Sequence, residues 1–249
     1  MAHLKHANRA PSTVARTTVA IRLFFRFLAA EKMIETDPGA SVEVPNVPRG
    51  LPKALALQQI ESLLASPVGD DPASRRDRAI LEVLYGCGLR IGELVALSLV
   101  DVDLDGELLR VFGKGRRERI VPLGWPAHAA VSQWMSGLGR DAVLSRRTGV
   151  TQAEDALFLN QRGSRISRQG AWMIVRGHGN RVGLGAELTP HVLRQSCATH
   201  MLANGADIRY AQKLLGHRSI SSTQRYAALR DEEIREIYDR SHPRAEGQV

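Results

Sequence analysis

Between Ser12 and Lys32, Ile21, Phe24, Phe25 and Leu28 fall at i, i+3, i+4 and i+7, while Arg22 and Arg26 lie on the opposite side. That spacing predicts an amphipathic helix with its apolar stripe facing a core. Asp37-Pro38-Gly39 breaks the pattern, and Pro45, Pro48, Gly50 and Pro52 mark residues 45–53 as a linker. Beyond the linker the helical period dominates. It predicts helices over Leu57–Ser66, Arg75–Tyr85 (Ile80, Leu81 and Leu84 inward, Gly86 and Gly88 bracketing the end) and Ile91–Leu97. The period then changes. Leu108–Phe112 and Arg116–Pro122 flank Gly113-Lys114-Gly115, which predicts a β-hairpin. Helical spacing returns over Pro126–Leu138, Arg168–Val175, His191–Leu202, Ile208–Leu215, Ser222–Leu229 and Asp231–Tyr238. Thr189 and Pro190 read as the N-cap and first position of the helix that carries His191. Residues from Ser241 onward read as a loose tail. The pattern therefore predicts a mainly α fold with a small antiparallel β-sheet (α+β): a helical segment over 1–44, a linker over 45–53, and a larger unit over 54–249.

Composition adds a partner class. The 249 residues are 43% hydrophobic and 24% charged, within the globular range and enough for a substantial core. Aromatics make up only 5%, so that core rests on Leu, Val, Ile and Ala. Lys and Arg outnumber Asp and Glu 34 to 26, a net charge of +8. This balance points to a polyanionic partner, with a basic protein lacking one as the alternative. Cys87 and Cys197 lie in apolar helical patterns without C-x-x-C spacing and read as buried reduced thiols. No apolar run approaches the ~20 residues that span a bilayer, so no membrane partner is expected. The basic start lacks the apolar core of a signal peptide, which makes the cytoplasm the expected compartment.

Four segments carry candidate chemistry, and each has a plainer reading. Arg90 sits between a glycine turn and a helix start, where its fork can take two phosphate oxygens; it could equally pair with Glu93 at the surface. Lys114, at the hairpin tip, can reach a groove and deliver a proton, or can simply be solvated. His191 and Arg194, at i and i+3 early in one helix, project together near its positive end, or form an ordinary polar face. His217 is followed by Tyr226, whose hydroxyl can attack phosphorus if cations stabilise the developing charge. Tyr85, Tyr210 and Tyr238 compete with Tyr226 for that role, and spacing alone does not choose among them. Taken together, two arginines, a lysine, two histidines and a tyrosine form a metal-free set for phosphoryl transfer.

In that order the residues resemble the tyrosine recombinase (phage integrase) family, and most closely its bacterial Xer-type members. Gly88 to Leu94 (GLRIGEL) is similar to the family's first arginine box, and Thr189 to Leu202 (TPHVLRQSCATHML) to its second. Leu214 to Tyr226 (LLGHRSISSTQRY) has the family's histidine-to-tyrosine spacing, which selects Tyr226. Ser241 to Ala245 (SHPRA) resembles a Xer-type tail. The resemblance implies a catalytic domain over 54–249 preceded by a truncated helical core-binding domain over 1–44. It implies double-stranded DNA as substrate, a homo- or hetero-tetramer on DNA with a second recombinase as a possible partner, and no cofactor or metal. By resemblance, Tyr226 attacks the scissile phosphate to form a 3′-phosphotyrosine link. Arg90 and Arg194 hold the phosphate, Lys114 protonates the departing 5′-oxygen, and His191 and His217 assist. Arg49 and Lys53 in the linker, with Arg116 and Arg117 in the hairpin, are expected to track the DNA backbone. The helix over Asp231–Tyr238 is implied to pass to the next subunit, although its stripe of Ile234, Ile237 and Tyr238 would also suit its own domain.

Three departures stand out. Gln195-Ser196 stands where relatives mostly carry His-Thr, and Ala227-Ala228 follows the tyrosine where many have Thr-His. Only the second half of the core-binding domain is recognisable, which would leave fewer phosphate contacts. The alternative readings are therefore a DNA-binding protein with impaired recombination, or a type IB topoisomerase-like enzyme using a similar residue set. A metal-dependent hydrolase fits worst, because His191, His200 and His217 lack ligand spacing.

Overall fold

The structure, a computed structural model, describes residues 10–46, 54–113, 115, 118–145, 155–216 and 231–245. The chain divides into two compact units, 1–51 and 52–249.

In the first unit, Pro11 opens helix α1 (Pro11–Ala30), where its missing N–H costs nothing. The helix forms as its spacing predicts, but the expected core stripe does not hold. Ile21 is 39% exposed and Phe24 57%, whereas Val14 and Thr18 are buried. The covered face runs through Val14, Thr18, Arg22, Phe25 and Ala29. A stripe is buried only where another element lies over it. Here the turn at 37–42 lies over Arg22, where a Cβ on Gly39 would come within 3.2 Å of the Arg22 Cα.

The second unit contains helices α2 (Leu57–Leu64), α3 (Pro72–Gly86) and α4 (Ile91–Ala96), then a 3-10 turn at Leu99–Asp101. Strands β1 (Val102–Asp103), β2 (Leu108–Phe112) and β3 (Glu118–Pro122) follow, then α5 (Trp125–Met135) and α6 (Arg140–Leu144). The remainder is α7 (Arg168–Arg181), a 3-10 turn at Gly185–Glu187, α8 (Pro190–Ala203), α9 (Ile208–Leu215) and α10 (Asp231–Ser241). Helix α3 is central: Ile80, Leu81, Val83, Leu84 and Tyr85 are fully buried, and α5 and α8 pack against it. It begins before Arg75 because Asp71 caps it, accepting from the Ala73 N–H at 2.9 Å and the Ser74 N–H at 3.2 Å. The sheet is antiparallel in the order β1-β2-β3, pairing Leu109 with Val121 and Val111 with Arg119. The short β1 escaped the sequence pattern. Helix α7 likewise runs past Val175 through two glycines. Gly179 serves packing there, since a Cβ would lie 2.5 Å from Leu188 Cδ2. Gly137 and Gly139 end α5 earlier than expected, and α6 was not anticipated. The expected helix over Ser222–Leu229 lies outside the described residues.

Residues 242–245 are not a loose tail. His242 is 5% exposed, with its ring stacked on Tyr238 at 4.6 Å and 5.4 Å from Tyr85. Arg244 forms a charge-assisted pair with the buried Glu82. Helix α10 turns Ile234 and Tyr238 toward its own unit. Tyr238 donates to the Gly86 carbonyl at 3.1 Å, and Tyr210 donates to the Ile234 carbonyl at 2.7 Å. The sequence pattern missed the tail because an imidazole and an arginine stem, not aliphatic residues, fill this part of the interior. Cys87 and Cys197 are buried and unpaired, as their setting predicted.

Burial, reinforced by His200 and Arg244, pulls the His242 pKa down to about 3 from 6.5. Tyr85, Tyr238 and Cys197 also face this ring. Above pH 6.5 neither state is protonated there. Below it the unfolded chain takes up a proton that the folded chain refuses, so stability should fall by roughly 1.4 kcal/mol per pH unit down to about pH 3. Urea unfolding at pH 7 and pH 5 measures this slope. If His242→Gln showed the same slope as wild type, His242 would not be its source.

Candidate active site

The site is organised by a carboxylate. Glu93 lies in the first turn of α4 and is 6% exposed. Its Oε2 accepts from the Arg90 backbone N–H at 2.9 Å, and its Oε1 accepts from Arg90 Nη1 at 2.8 Å. Arg119 on β3 meets the same carboxylate as a two-pronged fork, at 3.0 and 2.9 Å. Arg194 on α8 brings Nη1 to 3.6 Å of Oε2. Burial pushes the Glu93 pKa up, but the hydrogen bonds from Arg119 and Arg90 outweigh it and hold the group below its ordinary value. Three guanidiniums around one carboxylate leave surplus positive charge in a confined space, a setting suited to an anion.

The surplus is partly met by the end of α9. The last carbonyls of a helix lack intrahelical partners and form its negative pole. Here each receives an arginine: Leu214 accepts from Arg119 Nε at 2.9 Å, Leu215 from Arg194 Nη2, and Gly216 from Arg90 Nη2 at 3.3 Å. Two left-handed glycines make this approach possible. Gly216 (φ +62°) terminates α9, and Gly88 (φ +58°) leaves room for Leu215, whose Cδ2 would lie 2.6 Å from a Cβ there. The Gly88 carbonyl in turn accepts from Arg194 Nη1 at 2.6 Å.

The structure thus brings Arg90 and Arg194 together, although they come from distant parts of the chain. Their settings differ. The Arg90 side chain is 46% exposed; that of Arg194 is 3% exposed. Burial, then the neighbouring Arg90, pulls the Arg194 pKa down to about 10. His191 is exposed on the first turn of α8, where Thr189 Oγ1 caps the helix by accepting from the Val192 N–H at 3.2 Å. The surface ion pair considered for Arg90 does form, but its acidic half is buried. Lys114, His217 and Tyr226 lie outside the described residues, as do Arg49, Lys53, Arg116 and Arg117. The described Gly113 and Gly115 flank Lys114, and Gly216 directly precedes His217. Ser196, one of the departures noted above, is buried and accepts from the Leu55 N–H at 2.9 Å. Sequence reasoning missed Arg119 and the shared role of Glu93. Alternation along Arg116–Pro122 already places residue 119 on the same side as the apolar Val121.

The family model described as "Phage integrase family" matches residues 53–233. The chain belongs to the phage integrase family. Among similar members of that family, the tyrosine recombinase XerD of Halalkalibacterium halodurans is 42% identical over 98% of this chain and 79% of its own length. The tyrosine recombinase XerC of Herpetosiphon aurantiacus is 46% identical over 90% of this chain and 71% of its own length. Among solved integrase-family structures, the XerA recombinase superposes with a TM-score of 0.59 at 31% identity, covering 97% of this chain and 89% of that one. XerH bound to a palindromic difH substrate superposes with a TM-score of 0.69, covering 94% and 65%; at 21% identity it speaks for the shared fold. The helices and the three-stranded sheet of the second unit are thus those of an integrase-family catalytic domain.

Proposed function

We propose that this chain breaks and rejoins DNA through Tyr226, with Arg90 and Arg194 gripping the scissile phosphate. Membership of the family and likeness to Xer recombinases make it a site-specific tyrosine recombinase, a DNA strand-cleaving and rejoining enzyme. The observation that best supports the finer reading is the convergence of Arg90 and Arg194 on the end of α9, whose capping Gly216 directly precedes His217 in the sequence.

In this mechanism the Tyr226 hydroxyl gives up its proton to His191 or His217 and its oxygen bonds to phosphorus as the bond to the 5′-oxygen breaks. Lys114 supplies the proton that the departing 5′-oxygen takes up, and a 3′-phosphotyrosine remains. The forks of Arg90 and Arg194 carry the charge that grows on the non-bridging oxygens. His191, exposed one turn before Arg194, and His217 hydrogen-bond to the phosphate and assist proton transfer. Attack by a free 5′-hydroxyl reverses the step, and the covalent link conserves the energy of the broken bond. Arg49, Lys53, Arg116 and Arg117 add backbone contacts. Residues 1–44 form part of a helical core-binding domain, joined through 45–53 to the catalytic domain at 54–249. Exposed Phe24 and Phe27 on α1 support this, since such a face requires further covering. The acting species is a tetramer on DNA, homomeric or with a second recombinase, in which α10 can exchange between subunits. DNA as substrate places the enzyme in the cytoplasm. Among the described residues no helix is long and apolar enough to cross a membrane.

The test is covalent trapping. A duplex would first be selected from random-sequence DNA by binding to the protein. It would then be nicked at successive positions across its centre, so that the cleaved strand diffuses away. Wild type is expected to form an SDS-resistant adduct and Tyr226→Phe none. An adduct of equal yield from Tyr226→Phe would move the nucleophile elsewhere. Binding without any wild-type adduct would favour a DNA-binding protein that no longer recombines.

A further inference from the structure

A strand position facing a core is normally apolar, and β3 breaks that rule at one place. Leu109 and Val121 are fully buried cross-strand partners, and the next pair on the same face is Val111 and Arg119. Arg119 therefore occupies a core-facing slot, its stem beside Gly216 and its side chain only 14% exposed. A charged group here breaks the alternation, and departures of that kind concentrate at functional sites.

Each of its three nitrogens donates: Nη1 and Nη2 to the Glu93 oxygens at 3.0 and 2.9 Å, and Nε to the Leu214 carbonyl at 2.9 Å. Arg90 meets the same Glu93 through one side-chain nitrogen, yet its side chain is 46% exposed and so accessible to an anion at the surface. Arg194 stands 3.6 Å from Glu93, outside hydrogen-bond range. Once a phosphate draws on Arg90 and Arg194, Arg119 alone keeps a bidentate hold on the buried carboxylate. Without it, Glu93 would keep Arg90 as its hydrogen-bonded counter-ion and would draw on the positive charge of the nearby Arg194, in competition with the phosphate.

We propose that Arg119 is a positioning residue that keeps Glu93 neutralised during the reaction, releasing Arg90 and Arg194 to the phosphate while fixing the end of α9 from which His217 departs. This rests on the reading of Arg90 and Arg194 as phosphate ligands. Single-turnover adduct formation on the nicked duplex tests it, with DNA affinity and the melting curve measured alongside. Arg119→Gln should lower the cleavage rate about 10- to 100-fold, the scale of a misplaced reacting group, while duplex affinity changes less than about threefold. Arg119→Lys, a point charge without the fork, should be similarly slow. The deciding variant is Arg119→Gln combined with Glu93→Gln, which removes the competing carboxylate and should recover at least about tenfold of the lost rate. If Arg119 were only a brace between strand and helix, the double variant would be as slow as the single one or slower, and that result would overturn the proposal. It would also be overturned if Arg119→Gln cleaved at the wild-type rate. A wild-type chain that bound DNA but formed no adduct would instead overturn the reading of the site, and this inference with it.

Discussion

Arg194→Ala should lower the rate of adduct formation about 10²- to 10³-fold, corresponding to ~3–4 kcal/mol of lost transition-state stabilisation. The size follows from how firmly the side chain is held. Arg194 is 3% exposed, and its fork is fixed by the Gly88 carbonyl at 2.6 Å and by the Leu215 carbonyl. A donor already oriented needs no reorganisation when charge develops on the phosphate, so its removal loses nearly its full electrostatic effect. Arg194→Lys should recover little of the rate, because an ammonium cannot reproduce the two directed bonds of the fork. Single-turnover trapping at saturating duplex separates this effect from binding. A loss of less than threefold, with the fold intact by melting, would remove Arg194 from the chemistry.

Glu93→Leu should have the largest effect on folding. Glu93 is 6% exposed and accepts from Arg90 and Arg119, with Arg194 close by. Removing the carboxylate leaves like charges crowded in a confined site, which costs about 3–5 kcal/mol when one partner of a buried ion pair is lost. Glu93→Gln keeps acceptors for the guanidiniums and should cost less. The pH dependence has a defined sign. The pKa of folded Glu93 is held below its ordinary 4.5, so its contribution is complete above that value and is lost as pH falls through the lower folded value. Urea unfolding of the three forms at pH 7 and pH 4 checks both statements. Wild-type stability in Glu93→Leu would show that the arginines are satisfied without it.

Much of this protein could be read directly from its residues. Most helices follow from 3.6-residue spacing, because a helix buries one stripe and exposes the rest. Thr189 and Pro190 marked the start of α8 through local capping chemistry that needs no tertiary partner. The basic balance pointed to a polyanionic partner, and the order of the arginine, lysine, histidine and tyrosine boxes, by resemblance, to phosphoryl transfer on DNA.

What escaped the pattern depended on long-range contacts. Apolar spacing in α1 showed that a stripe exists, but only neighbouring elements decide whether Phe24 is covered, and here it is exposed. The tail after Ser241 looked unstructured because His242 and Arg244 rank as polar; a stacked Tyr238 and a buried Glu82 give them partners that no local window contains. The same holds at the active site. The sequence alone determined the fold class, the family and the candidate residues, because periodicity, capping and motif spacing are local properties. The tertiary structure decided that Glu93 joins Arg90, Arg119 and Arg194, and that the end of α9 receives all three, because hydrogen bonding and burial act between residues the chain keeps far apart.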